Sequence, residues 1–115
     1  MRWRKRQYRQ KIMPRFIKTE KFKDKTLELS HIERKKFLLM HKEWVENISK
    51  SGNYIHSGYL INEKKMPGGG GLLILEAKDY LTAKKIIEND PMIKNNLVIW
   101  DLQEWISIDE SQPKF

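Results

Sequence analysis

Two residues in this chain pair a type suited to proton transfer with a position that needs explaining: His41 and Asp90. His41 sits in Met40-His41-Lys42-Glu43-Trp44, where Phe37, Leu38, Trp44, Val45 and Ile48 recur at helical spacing. At about 100° per residue, the histidine falls within roughly 60° of all five and is aimed with them at the core. An imidazole in that position needs a polar partner, because a buried unpaired group costs about 1–3 kcal/mol. It is either a core histidine bonded to a backbone carbonyl or water, or a general acid/base, since histidine titrates in the physiological range. Asp90 follows a second helical segment and precedes Pro91. At a helix C-terminus a carboxylate meets the negative end of the dipole, so it gains from a cation such as protonated His41. It could equally cap the next turn, with Pro91 at the first helical position. The two roles are compatible, because a cap holds the side chain in place.

Other chemistries find less support. There is no cysteine, which excludes a thiolate metal site, a disulfide framework and a cysteine nucleophile, and fits a reducing, cytoplasmic compartment. His31, His41 and His56 show no ligand spacing, so no metal is expected. Gly68–Gly71 lack the Lys-Ser/Thr of a phosphate-binding loop, and no helix start follows them; a flexible hairpin is expected there. Tyr54, Tyr59 and Trp100 are read as lining the core or a dimer face, without a cofactor.

The elements that must position His41 and Asp90 follow from periodicity and punctuation. Arg15–Phe22 reads as a strand, and residues 23–30 as a polar loop. Ser30 and Glu33 have capping-box spacing, and the first helix then runs from His31 to Lys50, with Gly52 as its terminator. Asn53–Ile61 alternates as strand two, Asn62–Gly71 is a loop, and Leu72–Ala77 is strand three. Asp79 caps a second helix over Leu81–Asn89, and Leu97–Ile108 is strand four. The order β-α-β-β-α-β is the ferredoxin-like, split-βαβ arrangement of an α+β protein: a four-stranded antiparallel sheet with two helices on one face. Strand four is apolar on both sides, with Val98, Trp100, Leu102, Ile106 and Ile108 on one and Leu97, Ile99 and Trp105 on the other. The simplest cover for the second side is another copy of the sheet, giving a two-fold homodimer.

The formal net charge of +8 is a property of one end of the chain. Residues 1–12 carry six Lys/Arg and no acid, whereas the remainder holds 17 basic and 15 acidic residues. Residues 1–12 are therefore read as a basic arm, solvated and disordered, and 110–115 as a polar tail, around one domain at 13–109. Trp3 and Tyr8 interleave with arginines, a pattern also seen in nucleic-acid or anionic-surface contacts, and an Arg-rich, acid-free stretch leaves organelle targeting open. The same element order is used by RNA-binding RRM domains, but strand three here, GGLLILEA, has none of the base-stacking aromatics. No apolar run approaches the roughly 18–20 residues of a membrane span.

Residues from about Met13 to Ile108 resemble the YciI-like (YCII-related) domain of the dimeric α+β barrel superfamily. The resemblance lies in the helix-one histidine of Met40-His41-Lys42-Glu43-Trp44, Gly52, Ser57-Gly58-Tyr59-Leu60, Gly71-Leu72-Leu73-Ile74-Leu75-Glu76, Asn89-Asp90-Pro91 and a strand ending in Glu104-Trp105. It implies a homodimer of ferredoxin-like units with a His–Asp pair, here His41 and Asp90, in the active site. It also implies a small organic ligand near Trp44, Gly58 and Tyr59, with relatives that degrade chlorinated aromatics or isomerise muconolactones. Tyr59 stands where the family usually has proline. The resulting expectation is a cofactor-free enzyme catalysing an isomerase- or lyase-type proton transfer, with non-catalytic ligand binding or regulation, or nucleic-acid or anionic-surface binding through the basic arm, as the alternatives.

Overall fold

Alternating side chains over Arg15–Phe22 form the first strand, β1, with Phe16 and Lys18 buried on one side and the half-buried Ile17 and exposed Thr19 on the other. In this computed structural model residues 13–108 are described; the basic arm at 1–12 and the polar tail at 110–115 lie outside them. A single helical turn, α1 (Asp24–Leu27), occupies part of the stretch expected to be loop. Thr26 explains it: its side chain is buried and its Oγ1 donates to Leu97 O at 2.6 Å, so a tertiary contact fixes a turn that local composition does not encode.

The long helix α2 (His31–Lys50) starts at Ser30 with the expected capping box, Glu33 N donating to Ser30 Oγ and Ser30 N to Glu33 Oε1. It ends at Gly52, whose φ of +94° only glycine adopts without strain. Strand β2 (Ile55–Ile61) follows, then β3 (Pro67–Glu76). Helix α3 (Tyr80–Ile87) is capped by Asp79, which accepts from Thr82 N at 2.8 Å. One further turn, α4 (Pro91–Lys94), precedes β4 (Val98–Trp105).

The sheet is antiparallel with order β2-β3-β1-β4, so β1 lies between β3 and β4 while β2 is an edge. The fold is therefore α+β and ferredoxin-like, with the two longer helices on one face. Phe16, Leu73, Leu75 and Leu102 from the sheet meet Ala83 and Ile87 of α3, with Trp44, Val45 and Ile48 of α2 packed against them. At about 1.5–3 kcal/mol for each fully buried large apolar side chain, this layer supplies most of the hydrophobic stabilisation. Among the described residues no helix is long and apolar enough to cross a membrane.

Several strand boundaries differ from expectation: β2 begins at Ile55 and not at Asn53, and β3 and β4 are shifted as well. Gly68–Gly71 belong to β3, which begins at Pro67 and not at Leu72. A Cβ on Gly70 would lie 1.9 Å from Glu20 O, so glycine lets β3 close directly onto β1. Strand β4 stops at Trp105, leaving Ile106 and Ile108 beyond it. Leu97, expected on the side of Ile99 and Trp105, instead precedes the strand and is buried against Met92 and Val98. The outer face keeps its apolar character: Ile99 is 66% and Trp105 46% exposed, and Ile17, Leu72 and Ile74 share that face by register.

Candidate active site

The helix-facing side of β1 reads Phe16, Lys18, Glu20, Phe22. Its centre is charged where an apolar pair would be ordinary. Lys18 is 1% exposed and its Nζ donates to two carboxylates, Glu20 Oε1 at 2.6 Å and Asp90 Oδ2 at 2.7 Å. Asp90 is completely buried. It sits three residues past the end of α3 and caps α4, with Pro91 at the first helical position and Met92 N donating to its Oδ1 at 2.9 Å. The capping role and the partnership with the histidine therefore coexist.

His41 completes the arrangement from α2. Its Nδ1 donates to Asp90 Oδ1 at 2.8 Å, and its Nε2 lies 2.8 Å from Ser57 Oγ on β2. With the proton on Nδ1, the neutral ring presents Nε2 as an acceptor for the Ser57 hydroxyl. Hydroxyl, imidazole and carboxylate thus stand in line, the order in which a base is held by an orienting acid and faces a proton donor. Burial pushes the Asp90 carboxyl up, but the hydrogen bond from His41 and the charges of Lys18 and His41 outweigh it and hold the group below its usual value. Asp90 is thereby kept ionised and immobile, bonded to three donors from three elements.

Beside this cluster, between α2 and the sheet, lies a cavity of about 540 Å³. His41, Ser57, Gly58 and Tyr59 line it together with Lys18 and Glu20. It accounts for a property of α2: no residue of the helix is fully buried, and Leu38 remains 44% exposed because part of the apolar stripe faces the opening. A site of this size suits a small organic molecule. Trp44 is placed differently from Gly58 and Tyr59. It packs on the core with its ring 5.7 Å from that of His41 and is not part of the cavity wall. His31 lies at the start of α2, and His56 stands against Tyr54 with ring centroids 5.0 Å apart; neither is bonded to His41. Among the described residues no cluster of three or more His, Asp or Glu side chains is arranged to hold a metal.

Lys18, Glu20 and Ser57 are not apparent from motif reading. A signal for the first two exists in the alternation of β1: Lys18 and Glu20 share their face with Phe16 and Phe22, and charges on an apolar strand face need partners. Ser57 lies on the same side of β2 as Ile55 and Tyr59, which points it toward the helix layer.

No protein-family profile matches the chain. No curated protein matches it either. A solved structure does: 5-chloro-2-hydroxyhydroquinone dehydrochlorinase (TftG) from Burkholderia phenoliruptrix AC1100, in complex with 2,5-dihydroxybenzoquinone. The TM-score is 0.63 at 21% sequence identity, over 80% of this chain and 93% of that one. That protein has the dimeric α+β barrel fold, and the likeness to it is one of fold.

Proposed function

We propose that the chain is a YciI-like domain protein working as a homodimer and catalysing an acid/base proton transfer on a small organic molecule. The carrying observation is the His41 Nδ1 to Asp90 Oδ1 hydrogen bond, 2.8 Å long, at the wall of a cavity of ligand size. The general base is His41 Nε2. It takes a proton from a carbon next to a carbonyl of the substrate, and the electron pair of that C–H bond moves into the enolate. The same proton then returns at another carbon in an isomerisation, or the electron pair expels a leaving group in an elimination. Asp90 keeps Nδ1–H in place and stabilises the imidazolium formed in between. Ser57 holds Nε2 toward the cavity, and Gly58 and Tyr59 form the wall against the substrate; Trp44 supports the ring of His41 from the core side. The fold shared with a dehydrochlorinase supports a small-molecule enzyme of this size.

The experiment is solvent deuterium exchange, followed by NMR, on enolisable hydroxyquinones and unsaturated lactones, with 2,5-dihydroxybenzoquinone among them. Wild type should accelerate exchange or conversion, and His41→Ala and Asp90→Asn should suppress it. If both variants fold and retain binding and turnover, the dyad reading fails. One observation favours the alternative, non-catalytic ligand binding: both ring nitrogens of His41 already have partners. Under it, His41→Ala lowers the melting temperature and changes little else.

A further inference from the structure

A second cavity, of about 280 Å³, abuts the first. The two share Phe22, Leu38 and Met92 as walls. The second is largely apolar, but three basic side chains line it, His31, Arg34 and Lys35, and no acidic residue does. Arg34 is the unusual member. Its Nε is closed off from solvent without a hydrogen-bond partner, which holds for no other buried side-chain polar atom among the described residues. Nor does any carboxylate among them pair with its guanidinium, although Glu33 is its neighbour in the chain; Glu33 is bound in the capping box. A cationic fork facing an apolar cavity without a counter-ion is the chemistry of an oxyanion site.

Its distance from the dyad is set by the helix. Arg34 and His41 are seven residues apart on α2, two turns, so they share a face and stand about 10 Å apart along the axis. Leu38 lies between them and is the wall common to both cavities. We propose that the two cavities form one bipartite site for an elongated amphipathic substrate, with a terminal oxyanion, carboxylate or phosphate, held by Arg34, an apolar body along Leu38, Phe22 and Met92, and the reacting carbon at His41. This rests on the reading of His41 as the reacting end and adds the class of molecule that reaches it. Lys35 adds positive charge beside it in the same cavity wall.

The test is calorimetric binding of aryl-terminated carboxylates of graded chain length, with the matching primary amides and alkyl phosphates, to the full chain. The acids should bind about 10- to 100-fold tighter than the amides, with an optimum at the length that spans about 10 Å. Arg34→Met should erase that preference while the melting temperature stays at the wild-type value, and Arg34→Lys should retain part of it. His41→Ala should leave the preference for the acid intact, so failure of the oxyanion site and failure of the dyad are read in separate experiments. Tighter binding of the phosphate or of the carboxylate names the natural head group. Equal binding of acid and amide, a preference that survives Arg34→Met, or no binding by any anion of the series overturns the proposal.

Discussion

Lys18 Nζ and Asp90 Oδ2 lie 2.7 Å apart, and neither residue is exposed beyond 1%. They are 72 positions apart in the chain, so the contact ties the middle of β1 to the cap of α4. A charge pair taken fully out of water is stable only with its remaining hydrogen-bonding capacity filled, and here Glu20, His41 and Met92 N fill it. Lys18→Met should therefore destabilise the fold by about 3–5 kcal/mol, because it leaves the buried Asp90 carboxylate and the partly buried Glu20 without their lysine. Chemical denaturation measures this, and the double variant with Asp90→Asn should lose less than the sum of the two single losses.

Asp90→Asn should keep the backbone in place, since an asparagine also caps a helix, yet remove the charge that stabilises the imidazolium in the proposed mechanism. Turnover should fall by about 10²–10⁴, with a much smaller change in substrate affinity. A split between kcat and KM in steady-state kinetics separates this outcome from a general loss of structure.

Acid should unfold the protein through the same residue. The folded-state pKa of Asp90 lies below its ordinary value of 3.8, so the carboxylate is more acidic in the native state than in the unfolded chain. Its stabilisation is then complete above 3.8 and disappears as pH falls through the lower folded value. Urea midpoints measured across the acid range should be flat toward neutrality and drop steeply on acidification, with a shallower drop in Asp90→Asn.

Two glycines should behave oppositely. Gly70→Ala should destabilise by roughly 2–4 kcal/mol, from both its φ of +88° and a Cβ 1.9 Å from Glu20 O. At Gly58 an added Cβ would meet nothing within 4 Å, so Gly58→Ala should stay within about 0.5 kcal/mol of wild type, as urea denaturation can check.

The homodimer is proposed to form through the outer sheet face. Ile99→Glu, at a position 66% exposed in the single chain, should leave the fold of a protomer intact and shift the mass measured by light scattering to that of a monomer.

Local signals carry much of this molecule. Ser30 with Glu33, Gly52 and Asp79 mark helix ends by side-chain chemistry that acts within a few residues, and the structure uses all of them. His41 stands out because a polar group interrupts a helical stripe, and Asp90 because proline follows it. What is not legible depends on contacts between distant segments. The turn at Asp24–Leu27 is fixed by Thr26 reaching Leu97 O, and the extension of β3 through its glycines is fixed by Glu20 O across the sheet. Lys18 and Ser57 become site residues only when β1 and β2 are laid beneath α2, a relation that no spacing along the chain expresses.

The strand order also divides the site by rigidity. Lys18 belongs to β1, bonded on both sides, and Ser57 to β2, bonded on one. Amide hydrogen exchange should be slowest around Lys18 and much faster from Ser57 to Tyr59. The cavity wall on β2 can thus breathe outward while the ion pair beneath the imidazole stays fixed, an anchored half and a yielding half within one small pocket.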